Sequence, residues 1–167
     1  MQRYGLGDWI TTKCKALSKG MGQKVQILAT LIHDPELLVL DEPTTGLDPA
    51  QRATLRRTLS VVAHEATVLL STHQTEDVAA VCSHVVVVNQ GRALFAGTPA
   101  ELAAQAEGRV WVDSTRDPGA LAAWRLGEGR FHHVGTPPAG AQIVDPTIED
   151  AYLLMLGPQA PGERDVA

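Results

Sequence analysis

The sequence predicts an α/β layered domain with a mainly parallel sheet, followed by a small α/β appendage. Three observations point there. Short, unbroken apolar runs at Leu37–Leu40, Thr67–Leu70 and Val85–Val88 fit strands covered on both faces, as in parallel sheets. Helical patterns, with apolar residues three and four apart, precede and separate these runs. After Gly108 the texture changes to shorter segments.

The elements follow in order. From Ser18 to Ile32, the spacing of Val25, Leu28, Leu31 and Ile32 predicts a helix with one buried face. Ser18 suits its start and Asp34-Pro35 its stop. The first strand, Leu37–Leu40, leads to Asp48-Pro49, an acid at a cap followed by proline at the first helical position. Leu55, Leu59 and Val62 mark the buried stripe of that second helix. Thr67–Leu70 is the second strand. Gln74–Cys82 is a helix with Val78 and Val81 inward, and Val85–Val88 is the third strand. Gln90-Gly91 turns the chain back into Ala93-Leu94-Phe95 as a hairpin. Thr98-Pro99-Ala100-Glu101 is a capping box that opens a helix to about Gln105.

Residues 1–108 thus form one domain and residues 109–157 the appendage. Within the appendage, strands are expected at Arg109–Val112, Phe131–Val134 and Gln142–Val144, with a helix over Pro118–Trp124. Pro146-Thr147-Ile148-Glu149 opens a last helix carrying Tyr152, Leu153 and Leu156. Residues 158–167, rich in Pro, Gly and charge, read as a disordered tail.

Composition narrows the function classes. The 167 residues are 44% hydrophobic and 20% charged, the range of a soluble globular protein. Aromatics are only 4%, so the core rests on Leu, Val, Ala and Ile. A net charge of −5, with no basic block beyond Arg56-Arg57, argues against a nucleic-acid partner. Cys14 and Cys82 are far apart and form no Cys-x-x-Cys, which fits a reduced, cytosolic setting. No apolar run approaches the ~20 residues needed to cross a bilayer, so a membrane role must come through a partner.

Several residues can carry chemistry. Asp41 and Glu42 end a strand at the carboxyl edge where ligands of α/β sheets collect. Alternation sends their carboxylates different ways, one able to hold Mg²⁺ and the other to face a nucleophilic water. An ordinary Asp-Glu-Pro strand exit is the plain alternative. Ser18-Lys19-Gly20 at a helix start can bind a phosphate through free N–H groups and the helix dipole, or be a simple serine cap. His73, after the second strand, can orient water or touch a γ-phosphate, or merely cap a turn. Asp48 is most simply a cap. His33, His64 and His84 are isolated. His132 and His133 are strand neighbours that point to opposite faces and cannot easily share one metal.

As an ordered set these segments resemble the ATP-binding cassette (ABC) transporter ATPases over roughly residues 1–105. Leu17-Ser18-Lys19-Gly20-Met21 is similar to the family signature, and Leu37–Asp41 to its Walker B strand, with Glu42 in the place of the catalytic base. Gly46-Leu47-Asp48 resembles the D-loop and His73 the switch histidine. Lys19 and Met21 depart from the commonest signature and resemble bacterial exporters of the drug, sodium and polyketide type. So does Pro146-Thr147-Ile148-Glu149-Asp150-Ala151-Tyr152. The phosphate loop Gly-x-x-x-x-Gly-Lys-Ser/Thr occurs nowhere in the chain.

The resemblance implies a partial P-loop NTPase fold, the back portion of a cassette without its Walker A region. It implies ATP and Mg²⁺ as ligands. Asp41 would help to hold the metal, while Glu42 and His73 would act in hydrolysis. Ser18, Gly20 and Asp48 would act at the nucleotide across a head-to-tail pair. A second ATPase subunit and a membrane permease are the implied partners, at the inner face of the cell membrane. Isolated, the chain is expected to turn over little ATP and to be marginally soluble. Two rivals remain: a soluble ABC-type ATPase acting on nucleic acid or ribosomes, and a non-catalytic regulatory or relic fragment.

Overall fold

The computed structural model describes residues 13–17 and 19–157. It is a mixed α/β structure with one parallel and two antiparallel sheets. Two compact units divide between Val81 and Cys82. The sequence pattern places the change of texture near residue 108 instead. The hairpin and the helix after it pack with the C-terminal elements, because Val87, Leu102, Ala106, Val110 and Ala151 share one core.

The first unit opens on α1 (Lys19–Thr30), which tightens into a 3-10 turn at Leu31–His33 and stops at Asp34, whose φ is 46°. The strand β1 (Leu37–Asp41) pairs in parallel with β2 (Thr67–Ser71), in the register Val39 to Leu69 and Asp41 to Ser71. Between them runs α2 (Pro49–Val62), capped by Asp48, whose Oδ1 accepts from the Gln51 N–H at 2.8 Å. The last helix of the unit is α3 (Thr75–Val81). Leu38 of β1 packs with Ile27, Leu47, Leu55, Leu59 and Val62 in one core. The other face of this sheet is open: Leu37, Val39 and Leu69 are 55%, 62% and 58% exposed. The expectation of strands covered on both faces therefore fails for β1 and β2.

In the second unit, β3 (Val85–Asn89) pairs antiparallel with β4 (Arg92–Gly97), and among the described residues the parallel sheet holds only β1 and β2. Gln90 and Gly91, with φ of 49° and 75°, make the turn of this hairpin. The helix α4 (Pro99–Ala104) starts with the expected Thr98–Glu101 capping box. A four-stranded sheet follows, ordered β6-β7-β5-β8, from β5 (Val110–Asp113), β6 (Ala122–Arg125), β7 (Phe131–Val134) and β8 (Gln142–Ile143). The helix expected over Pro118–Trp124 is a turn leading into β6. Asp117 Oδ1 accepts from the Gly119 N–H at 2.8 Å, and Trp124 then pairs with His132 across the strands and stacks on it at 4.3 Å. Cross-strand packing of this kind overrides helix propensity.

Gly135 follows β7 at φ 147°, and a Cβ there would lie 2.9 Å from the Leu121 N. Gly135→Ala is expected to destabilise the second unit by about 1–3 kcal/mol, measured by urea unfolding.

The final helix, α5 (Ile148–Leu156), begins with a capping box in which Asp150 and Thr147 bond reciprocally. Asp150 is wholly buried, and its Oδ1 lies 2.8 Å from His132 Nε2. Burial pushes its carboxyl up, but the hydrogen bonds from His132 and Thr147 outweigh this and hold it below the ordinary aspartate value. A carboxyl depressed on folding contributes stability above its unfolded value, near ~4, and loses it as pH falls through the folded value. The second unit is therefore expected to weaken on acidification below about pH 4. Asp150→Asn should flatten that part of a stability-against-pH curve.

Among the described residues, no helix is long and apolar enough to cross a membrane. The tail expected over 158–167 lies outside the described residues.

Candidate active site at the ends of β1 and β2

Parallel pairing carries both strand ends to one edge. Asp41 stands opposite Ser71, whose hydroxyl donates to Asp41 Oδ1. The Glu42 N–H bonds to the Ser71 carbonyl at 2.9 Å, and the chain then breaks away from the sheet. Glu42 does so at φ 45°, in the left-handed region that non-glycine residues seldom occupy.

That turn sends the Glu42 carboxylate to the segment after β2. Glu42 Oε1 accepts from the His73 backbone N–H at 2.9 Å and lies 2.6 Å from the ring nitrogen Nδ1. The hydroxyls of Thr45, at 3.2 Å, and Thr72, at 3.5 Å, lie on Oε2. Partial burial lifts the Glu42 carboxyl. The His73 ring contact, the Thr45 hydroxyl, the His73 N–H and the imidazole's charge outweigh this and hold it below the ordinary glutamate value. An ionised carboxylate only accepts, so Nδ1 of His73 donates to it. The other ring nitrogen, Nε2, lies 2.8 Å from the Gln74 carboxamide.

Asp41, Glu42 and His73 are thus brought together. Asp48 is turned to the start of α2, where it accepts from Gln51. Gly20 is buried in the first turn of α1, and a Cβ there would run into the Gln51 carboxamide. Gly20 and Asp48 therefore share Gln51 as a neighbour. Ser18 lies outside the described residues. Gln23 donates to the Pro43 carbonyl and so ties α1 to the loop after Glu42.

Reading the sequence missed the support beneath this site. Asp77 is 1% exposed, and it was Val78 and Val81, here only half-buried, that were expected inward from α3. Asp77 takes Thr44 Oγ1 at 2.5 Å on one oxygen. On the other it takes Arg56, with Nε at 2.6 Å and Nη2 at 2.5 Å. Its position four residues before Val81, on the same helical face, is the one signal that could have found it.

The metal assignment of Asp41 is chemically compatible with Mg²⁺. Its carboxylate is exposed and hard, beside a serine hydroxyl. Mg²⁺ is commonly held by one or two carboxylates together with waters and substrate phosphates. No group of three or more His, Cys, Asp or Glu able to hold a metal occurs among the described residues. His132 and His133 face opposite sides of β7, one to Asp150 and the other stacked on Trp111 at 5.0 Å.

A family model described as "AAA domain, putative AbiEii toxin, Type IV TA system" matches residues 13–76, the segment that holds Asp41, Glu42 and His73. The ABC transporter ATP-binding protein NatA of Bacillus subtilis is 38% identical over 97 residues, covering 58% of this chain and 39% of NatA. Several curated ABC transporter ATP-binding proteins, 33–43% identical over part of this chain, support an ABC ATPase. The Nod factor export ATP-binding protein I of Ralstonia nicotianae is 43% identical over 89 residues, covering 53% of this chain and 28% of that protein. The daunorubicin resistance ATP-binding protein DrrA3 of Streptomyces coeruleorubidus is 37% identical over 124 residues, covering 74% and 39%. The chain spans less than two fifths of the length of these ABC relatives.

Proposed function

We propose that the first unit supplies the hydrolytic edge of an ABC-type ATPase, with Glu42 as the general base and His73 as its partner. The double contact of Glu42 with His73, through backbone N–H and ring, carries this reading. A carboxylate kept ionised and aimed by an imidazole can take a proton from an attacking water. Asp41 would hold Mg²⁺, which when bound neutralises charge on the phosphates. Ser18, Gly20 and Asp48 would lie toward the nucleotide of a second ATPase subunit. Gly20's packing on Gln51 gives that residue a structural reason as well.

The parent protein would be the ATP-binding subunit of an exporter, working with a membrane permease at the cytoplasmic face. Relatives named for Nod factor export and daunorubicin resistance support that direction. Because no Gly-x-x-x-x-Gly-Lys-Ser/Thr occurs in the 167 residues, the chain by itself is expected to turn over negligible ATP. That absence also supports the alternative of a non-catalytic fragment.

The test supplies a phosphate loop. The chain is fused behind the phosphate-loop portion of a NatA-type relative, and ATP turnover and equilibrium binding of labelled ATP are measured. Turnover should appear, and Glu42→Gln should lower it by about 10²–10⁴-fold while binding persists. Equal turnover in the Glu42→Gln fusion would refute the assignment. A fusion that folds yet binds no ATP would favour the non-catalytic reading.

A further inference from the structure

We propose that Asp77, clamped by Arg56 and bonded to Thr44, is the positioning residue that sets Glu42 against His73. The inference rests on the reading that Glu42 and His73 do the chemistry, and it concerns what holds them in place.

The two residues sit on separate segments, each just past a strand end. Glu42 leads the loop that contains Thr44 and Thr45, while His73 leads into α3. Their own contact is at the surface, where the His73 side chain is 65% exposed. The ring contact of so exposed a histidine gains little by itself. Below it, Thr44 and Asp77 are both buried, and Thr44 Oγ1 donates to Asp77 Oδ2 at 2.5 Å. Thr44 is two residues after Glu42 and Asp77 four after His73. This bond therefore joins the two active segments through buried side chains.

Arg56 fixes the third side. Arg56 Nε donates to Asp77 Oδ1 at 2.6 Å and Nη2 lies 2.5 Å from the same oxygen as an ion pair, so α2 backs the joint. Glu76, exposed beside it, lies only 3.5 Å from Arg56 and 3.6 Å from Arg52. The carboxylate of Asp77 has no route to solvent, so its orientation is set by Thr44 and Arg56 alone among the described residues. A shift of that carboxylate moves the Thr44 loop, and Glu42 with it.

The experiment uses the full chain labelled with ¹³C and ¹⁵N. It reads the Glu42 side-chain carboxyl ¹³C and backbone amide shifts at one fixed pH, and the His73 ring ¹⁵N shifts, by NMR in Thr44→Val, Thr44→Ser, Asp77→Asn and Glu76→Gln. In Thr44→Val and Asp77→Asn, the Glu42 signals should move and the His73 Nδ1–H signature should weaken, as expected when their contact loosens. Thr44→Ser should restore both, and Glu76→Gln should leave both unchanged. In the fusion described above, Thr44→Val should lower kcat several-fold with little change in KM. A folded Thr44→Val chain with wild-type Glu42 and His73 signals overturns the proposal. Thr44→Val decides the matter if Asp77→Asn does not fold. Failure of the catalytic reading shows elsewhere, as undiminished turnover in the Glu42→Gln fusion.

Discussion

Arg56→Ala is expected to destabilise the first unit by about 3–5 kcal/mol. The side chain removed is the guanidinium that holds Asp77, a carboxylate 1% exposed. What remains is a buried negative charge with one hydroxyl, Thr44 Oγ1, for company. Such a charge costs far more than the pair contributed when whole, because the desolvation of the ion is no longer answered. Urea unfolding of the full chain, followed by amide exchange across α2 and α3, measures it. A second variant separates charge from packing. Arg56→Met with Asp77→Leu removes both ions and should recover most of the loss, since replacing a whole buried pair by apolar groups is often close to neutral. An Arg56→Ala chain as stable as the parent would show that Asp77 is not dependent on this clamp.

Trp111→Ala is the largest effect expected in the second unit, about 3–5 kcal/mol. Trp111 is fully buried on β5, the strand between β7 and β8, and its ring lies nearly parallel to that of His133. His133 in turn accepts from the Asp117 N–H at 3.0 Å and so fixes the loop that enters β6. Truncation would leave a ring-sized void beneath that loop. Trp111→Phe should cost much less. The indole N–H has no hydrogen-bond partner among the described residues, and phenylalanine removes this orphaned donor along with part of the ring. Urea midpoints for the two variants, read on the second unit by amide exchange, should differ clearly. Equal losses would mean that the void is not what matters.

What was legible in the sequence was mostly local chemistry. The cap at Asp48, the box at Thr98, the helix start at Thr147 and the Gln90-Gly91 turn are set by residues within a few positions, and all appear where their side chains predict. Partner choice was less legible. The Gln90-Gly91 turn paired β3 with its hairpin neighbour as expected, but the valines of Val85–Val88 did not tell that β3 would stay out of the β1-β2 sheet. Ala122 and Ala123 suited a helix until Trp124 found His132 across the sheet. At the site, Asp41, Glu42 and His73 could be read from their places after apolar runs, because parallel register then does the rest. Asp77 could not be read as easily. An acid in the first turn of a helix already has a sufficient reason to be there, in the favourable dipole, and that hid its burial.

Glu42 adopts φ 45°, a backbone state that glycine and asparagine tolerate better than glutamate. The residue is therefore locally a poor fit for its own position, by about 1–3 kcal/mol. Laboratory evolution that rewarded heat resistance alone would drift toward Gly or Asn at position 42 and would discard the carboxylate as it did so. Retention of the acid under such selection would mean that some other pressure defends it.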